Sequence, residues 1–152
     1  MVIIAILAGI AVPRMSSGAE NAAQGAMIGS RDSLQKAVDL YTIEHHGALP
    51  HEGAGTLKTF YFRLLQTSDL DGTLNSSGIY GPYINGIPVN PINGKAAIRL
   101  GGAAAGADTH GWRYDKASGA IEPDHTAGDR TFKGTGETIE KVTDDLITDL
   151  GG

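Results

Sequence analysis

Three histidines stand close together in this chain, His45, His46 and His51, and five carboxylates, Asp108, Asp115, Glu122, Asp124 and Asp129, gather in its second half. These residue types could hold a metal. Imidazole suits zinc, but adjacent helical residues point about 100° apart, so His45 and His46 cannot readily share one ion. No HExxH spacing exists, and no cysteine or matching carboxylate pair completes a zinc site. The plainer reading is polar residues at a helix end. Loop carboxylates are the hard ligands that Ca²⁺ takes, and Asp108, Asp115 and Asp124 are the calcium candidates. The EF-hand pattern is absent, and the competing reading is solvated loop carboxylates. Asp69 and Asp71 could act as paired acid and base, yet an Asp-x-Asp in a Gly-rich loop is more often turn chemistry.

Other chemistry is thinner. Ser16-Ser17-Gly18 and Gly101-Gly102 lack the surroundings of a phosphate loop, with neither GxxxxGK[ST] nor GxGxxG present. There is no GxSxG, and no Ser/His/Asp set can be placed by order or context. The absence of cysteine excludes disulfides, thiol nucleophiles and thiolate metal sites. No catalytic residue and no cofactor beyond a possible calcium are expected, and an enzyme is the least supported class.

The elements that must position these residues follow from composition and periodicity. The 152 residues are enough for one domain with a protruding helix. Twelve Lys and Arg against 17 Asp and Glu give a net charge of −5. That balance gives no electrostatic pull towards nucleic acid or an anionic surface. The 22 glycines concentrate after residue 46 and predict a loop-rich second half.

From Met27 onward, Ser30, Leu34, Ala37 or Val38, and Tyr41 recur at helical spacing with charged residues between them. Gly47 is a natural C-cap, and Pro50 forbids resumption. Thr56 can cap a short helix over residues 57–66 whose apolar face, Leu57, Phe60, Tyr61, Leu64 and Leu65, packs on that stem. Residues 67–78 read as loop. Prolines at 82, 88 and 91 deny their segments a central place in a sheet, and Asn93-Gly94 marks a turn. Residues 95–100 are a plausible strand, and residues 111–115 and 120–122 a hairpin. The expected sheet is small and antiparallel, lies on the stem, and has Trp112 as core anchor. Residues 138–150, with Ile139, Val142, Leu146 and Leu150 at helical spacing, read as a final helix. Its Glu137 and Glu140 suit the helix dipole.

The chain's most apolar stretch is its first. From Val2 to Val12 there is no charge and no strong hydrogen-bonding side chain. A helix over residues 1–13 would be only about 20 Å long, against the roughly 20 apolar residues that a bilayer core needs. No basic residue precedes the run, so it does not read as a signal peptide. It reads as the distal half of a longer apolar helix that begins upstream of Met1. Pro13 would kink that helix, not end it, and no turn cluster separates it from the stem.

Val2-Ile-Ile-Ala-Ile-Leu-Ala-Gly-Ile-Ala-Val-Pro-Arg14 resembles the distal half of the N-terminal helix of type IV pilins and type II secretion pseudopilins. The stem Asp32-Ser-Leu-Gln-Lys-Ala-Val-Asp-Leu-Tyr-Thr-Ile-Glu-His-His-Gly-Ala-Leu-Pro50 is similar to the same family. So are Gly81-Pro-Tyr-Ile-Asn-Gly-Ile-Pro-Val-Asn-Pro91 and Gly111-Trp-Arg-Tyr-Asp-Lys-Ala-Ser-Gly-Ala-Ile121, which look like the post-stem segments of major-pseudopilin-like proteins. The family's basic leader, Gly cleavage site and Phe-Thr-Leu-Ile-Glu-like opening, with its N-methylated first residue, are not within these 152 residues.

The resemblance implies a pilin-like α+β fold. Residues 1–26 would be the apolar head and membrane-proximal segment of one long helix, and residues 27–152 a periplasmic domain including the stem. It implies a single pass of the bacterial inner membrane and assembly through Val2, Ile3, Ile4, Ile6, Leu7, Ile10, Val12 and Pro13. Leu34, Val38, Tyr41 and Trp112 would pack the core. The implied partners are further copies, other pilins or pseudopilins and the secretion machinery, with no nucleic acid. The implied role is a structural subunit of a secretion pseudopilus or pilus-like filament. Major pseudopilins carry calcium in their C-terminal loops, which raises that expectation here. The competing class is a membrane-anchored periplasmic binding module that recognises a partner or Ca²⁺ and does not polymerise.

Overall fold

The computed structural model describes residues 2–126, with side chains described from residue 18 onward. The protein is α+β, with a long N-terminal helix, a short second helix and a three-stranded mixed sheet. Helix α1, Val2–Glu44, is one unbroken element of 43 residues that runs through Pro13. At about 1.5 Å per residue it is roughly 65 Å long. The apolar positions Val2, Ile3, Ile4, Ile6, Leu7, Ile10, Val12 and Pro13 belong to its helical backbone. Their side chains lie outside the described residues, as do Asp129 and the expected helix over 138–150. Among the described residues no helix is long and apolar enough to cross a membrane.

The stem ends in a tight C-terminal turn. Gly47 N–H donates to the Thr42 carbonyl at 2.8 Å, a six-residue closure of the kind that satisfies a last-turn carbonyl. The left-handed position falls on His46, at φ 57°, one residue before the expected Gly47, which is itself at φ 89°. One face of α1 is buried: Ala23, Met27, Leu34, Ala37, Val38 and Tyr41. Helix α2, Leu57–Leu65, starts at Thr56, whose hydroxyl accepts the Thr59 N–H at 3.2 Å. This satisfies one of the donors that a helix start leaves orphaned. Phe60, Tyr61 and Leu64 point from it into the same core as the stem residues.

Strands β1 (Ile98–Leu100), β2 (Trp112–Tyr114) and β3 (Ile121–Pro123) form the sheet in that order. The β2–β3 hairpin is antiparallel, with Trp112 opposite Pro123. The first pair corrects the antiparallel expectation: β1 runs parallel to β2, with Ile98 beside Trp112 and Leu100 beside Tyr114. The reason lies in residues 101–111, which cross over instead of turning back. Gly101 N–H bonds the Tyr114 carbonyl at 2.8 Å and Gly111 N–H the Ala97 carbonyl at 2.9 Å, so the chain re-enters the sheet in its original direction. The expected strand over 95–100 is also shorter, because Lys95 pairs backward with Asn90 in an isolated bridge around the Asn93-Gly94 turn.

Side chains close both edges of this sheet. The Tyr61 hydroxyl accepts the Ile98 N–H at 2.6 Å and donates to the Ile98 carbonyl at 3.3 Å. Burial pushes this phenol up to about 12, against an opposing pull from the Ile98 backbone. On the other edge Gln35 of the stem accepts the Ile121 N–H at 2.8 Å and donates to the Gly119 carbonyl at 3.3 Å. That clamp locks the hairpin onto α1. Trp112, fully buried, donates its indole N–H to the Pro88 carbonyl at 2.7 Å and so anchors the proline-rich segment to the sheet.

Candidate functional site

The face of α1 turned away from the core is built differently from the buried one. Helical residues advance by about 100° each, so Gly18, Gly25 and Gly29 fall within roughly 40° of one another, opposite the Ala23–Met27–Leu34–Tyr41 stripe. A Cβ built at any of the three meets nothing within 4 Å. Among the described residues no contact therefore requires glycine there. Glycine inside a helix costs roughly 0.8–1 kcal/mol against alanine. The same side carries Ile28, Leu40 and Ile43 at 49%, 47% and 75% exposure. Small residues let two helix backbones approach closely, and exposed aliphatic side chains supply apolar area to bury.

The calcium candidates sit elsewhere, each already engaged. Asp124 is fully buried. Its carboxylate takes Arg99 Nε at 2.9 Å and Nη2 at 2.7 Å, the N–H groups of Gly106, Ala107 and His110 at 3.1, 3.2 and 3.3 Å, and the Thr109 hydroxyl at 3.3 Å. Burial opposes its ionisation, but Arg99 and then the Gly106, His110 and Ala107 N–H groups outweigh that and hold the carboxyl well below the usual range. Arg99 also donates to the carbonyls of Gly101, Ala103 and Ala104. A guanidinium thus occupies the middle of an oxygen set of the kind a hard cation would take.

Asp108 lies next to this cluster. Its N–H donates to the Asp124 carbonyl at 2.7 Å, and its carboxylate accepts from Asn93 at 3.0 Å. Lys95 also reaches it through the Asp108 carbonyl. Asp115 is apart, in the hairpin turn. The N–H groups of Ser118 and Ala117, then Arg113, lower its pKa. Glu122 pairs with the same Arg113 at 2.5 Å. Among the described residues no group of three or more His, Cys, Asp or Glu is placed to hold a metal ion.

The histidines separate. His45 is buried and stacks on Tyr41 with ring centroids 3.9 Å apart. Its Nδ1 lies 2.8 Å from the Tyr41 carbonyl, and its Nε2 3.1 Å from both the Ser68 hydroxyl and the Asp69 carbonyl. His46 is exposed, and His51 contacts the Tyr114 hydroxyl at 3.0 Å. His45 is therefore a tie between the end of α1 and the loop after α2. Asp69 and Asp71 both serve that loop. Asp69 accepts both contacts from the Asn75 amide, and Asp71 accepts the Thr73 N–H at 2.9 Å.

Leu34, Val38, Tyr41 and Trp112 are buried together in the core. An open depression of about 490 Å³ is lined by Gln66, Thr67, Leu74, Asn75, Ser76 and Pro82. It has no titratable side chain in its wall and so no general acid or base. Arg99, Gln35 and the glycine stripe carry much of this arrangement without having been singled out by sequence, and Tyr61, expected only as an apolar helix-face residue, also closes the β1 edge. The stripe alone had a signal, in its spacings of seven and four residues on one helix. No family model, no curated protein and no solved structure matches this chain.

Proposed function

We propose that this protein is a structural subunit of a filament of the type II secretion pseudopilus or type IV pilus kind, with no catalytic role. It would be held at the bacterial inner membrane by the apolar head of α1, with the rest of the chain in the periplasm. The observation that carries this reading is the asymmetry of α1. One continuous 43-residue helix has its described core positions on a single face, while the reverse face is lined with glycines that no described residue crowds and exposed aliphatic side chains. Copies of such a rod can pack helix against helix through that reverse face, as small-residue helix contacts do. The partners in this reading are further copies of the chain, related pilin-type subunits and the secretion machinery.

The absence of cysteine makes the test clean. Gly25→Cys and Ile43→Cys, introduced singly and oxidised in intact membranes of the native organism, should each give covalent dimers. Ala117→Cys, exposed in the hairpin turn, should remain monomeric. Monomer alone from both α1 variants would reject assembly through this face and favour a binding module that does not polymerise.

A further inference from the structure

Two asparagines in this chain precede a glycine, Asn85-Gly86 and Asn93-Gly94, and the fold treats them oppositely. Asn93 is buried at 8% exposure. Its amide nitrogen donates to Asp108 Oδ1 at 3.0 Å and to the His110 carbonyl at 2.8 Å, and its amide oxygen accepts the Lys95 N–H at 3.2 Å. The Gly94 nitrogen is committed as well, donating to the Asn90 carbonyl at 2.8 Å. Asn85 is exposed in a bend. Among the described residues neither its side chain nor the Gly86 N–H has a hydrogen-bond partner.

We propose that Asn85 is a site of spontaneous deamidation, a covalent modification that the fold permits there and forbids at Asn93. The backbone nitrogen of Gly86 attacks the side-chain carbonyl carbon of Asn85. A new C–N bond closes a five-membered succinimide, the bond to the amide nitrogen breaks, and ammonia leaves with the proton that Gly86 gives up. Water then opens the ring at either carbonyl, giving aspartate or isoaspartate. No oxidant or reductant takes part. Glycine in the second position leaves the attacking nitrogen unshielded, and free rotation of the Asn85 side chain lets the two atoms meet. At Asn93 both reacting groups must first be released from several hydrogen bonds.

The product matters because of what flanks it. Ile87 is buried, and Ile84 packs against the core from the other side of the pair. Isoaspartate routes the backbone through the side-chain carbon, adding a methylene between those two anchors. Either product also adds a negative charge to a chain already at −5.

The test follows the intact chain in mildly alkaline buffer over time, with peptide mapping by mass spectrometry and separation of the Asn, Asp and isoAsp forms. In the folded protein Asn85 should convert at least on the order of tenfold faster than Asn93, equivalent to about 1.4 kcal/mol in barrier, and give both acidic products. In urea the two rates should converge. Gly86→Ala, at a position whose φ is not positive, should slow Asn85 alone. The proposal is overturned if Asn85 keeps its amide in the folded chain as long as Asn93 does. It is equally overturned if one acidic product forms at a rate indifferent to Gly86→Ala, which would mean direct hydrolysis.

Discussion

Arg99 and Asp124 meet fork to fork, Nε to Oδ2 at 2.9 Å and Nη2 to Oδ1 at 2.7 Å, with the carboxylate fully buried and the guanidinium side chain 13% exposed. The pair joins β1 to the end of β3 and gathers the crossover loop around itself. Asp124→Asn keeps the shape but turns a donor towards other donors and leaves the guanidinium without its counter-charge. The expected cost is about 3 kcal/mol, in the range for breaking a buried pair from one side. Urea denaturation of the two proteins checks it, and a difference below about 1 kcal/mol would contradict the role assigned to the pair.

The same carboxyl sets a pH window. Its pKa is depressed on folding, so its contribution is present above the ordinary carboxylate range and is lost as pH falls through that range towards the folded value. Melting temperature followed downward from neutral pH should fall more steeply for the wild type than for Asp124→Asn, and the two curves should approach each other in acid. Parallel curves would assign the acid sensitivity to other groups.

Tyr61→Phe removes one oxygen and leaves both the N–H and the carbonyl of Ile98 without a partner at the edge of the sheet. The expected loss is about 1–3 kcal/mol, the cost of leaving buried polar groups unsatisfied. Hydrogen exchange should show the Ile98 amide exposed before the β2 amides.

The local elements were legible in the sequence, and the long-range closures were not. Thr56 and the apolar spacing of Phe60, Tyr61 and Leu64 mark α2 at both level and face, because a cap and a helical stripe are local facts. The alternation around Trp112 and the turn at residues 116–119 mark the β2–β3 hairpin for the same reason. The direction of β1 depends on how residues 101–111 are gathered, and that rests on Arg99 meeting a carboxylate 25 positions away. Asp124 was recognisable as a hard ligand; that its cation is a guanidinium of the same chain was not. His45 was legible as a helix-end residue but not as a buried tie to Ser68 and Asp69.

Gly29→Ala separates folding from assembly. The added methyl enters open space in a helix that prefers alanine, so the subunit should gain about 0.5–1 kcal/mol. If the reverse face of α1 packs against a second copy, the same variant should assemble less. A variant that is more stable and assembles normally would remove this face from the interface.

Gly111→Ala probes close approach, not backbone freedom. A Cβ there would lie 2.0 Å from the Lys95 carbonyl oxygen, where the partner is backbone and has no rotamer to yield. The crossover would have to open, with loss of the Gly111–Ala97 contact that sets the parallel register. A loss of about 2 kcal/mol or more is expected, at the level of overpacking a tight site. A melting temperature equal to the wild type would show that the loop has slack.

The phenol on Ile98 and the amide on Ile121 have a consequence at high concentration. A small sheet with free edges offers unpaired backbone groups on which another chain can add a strand, the first step towards fibrous aggregates. Here both backbone groups of Ile98 and the N–H of Ile121 are already bonded by side chains from α2 and α1. A crowded population of this protein thereby meets a sheet whose Ile98 backbone groups and Ile121 N–H are already engaged, which disfavours strand addition there.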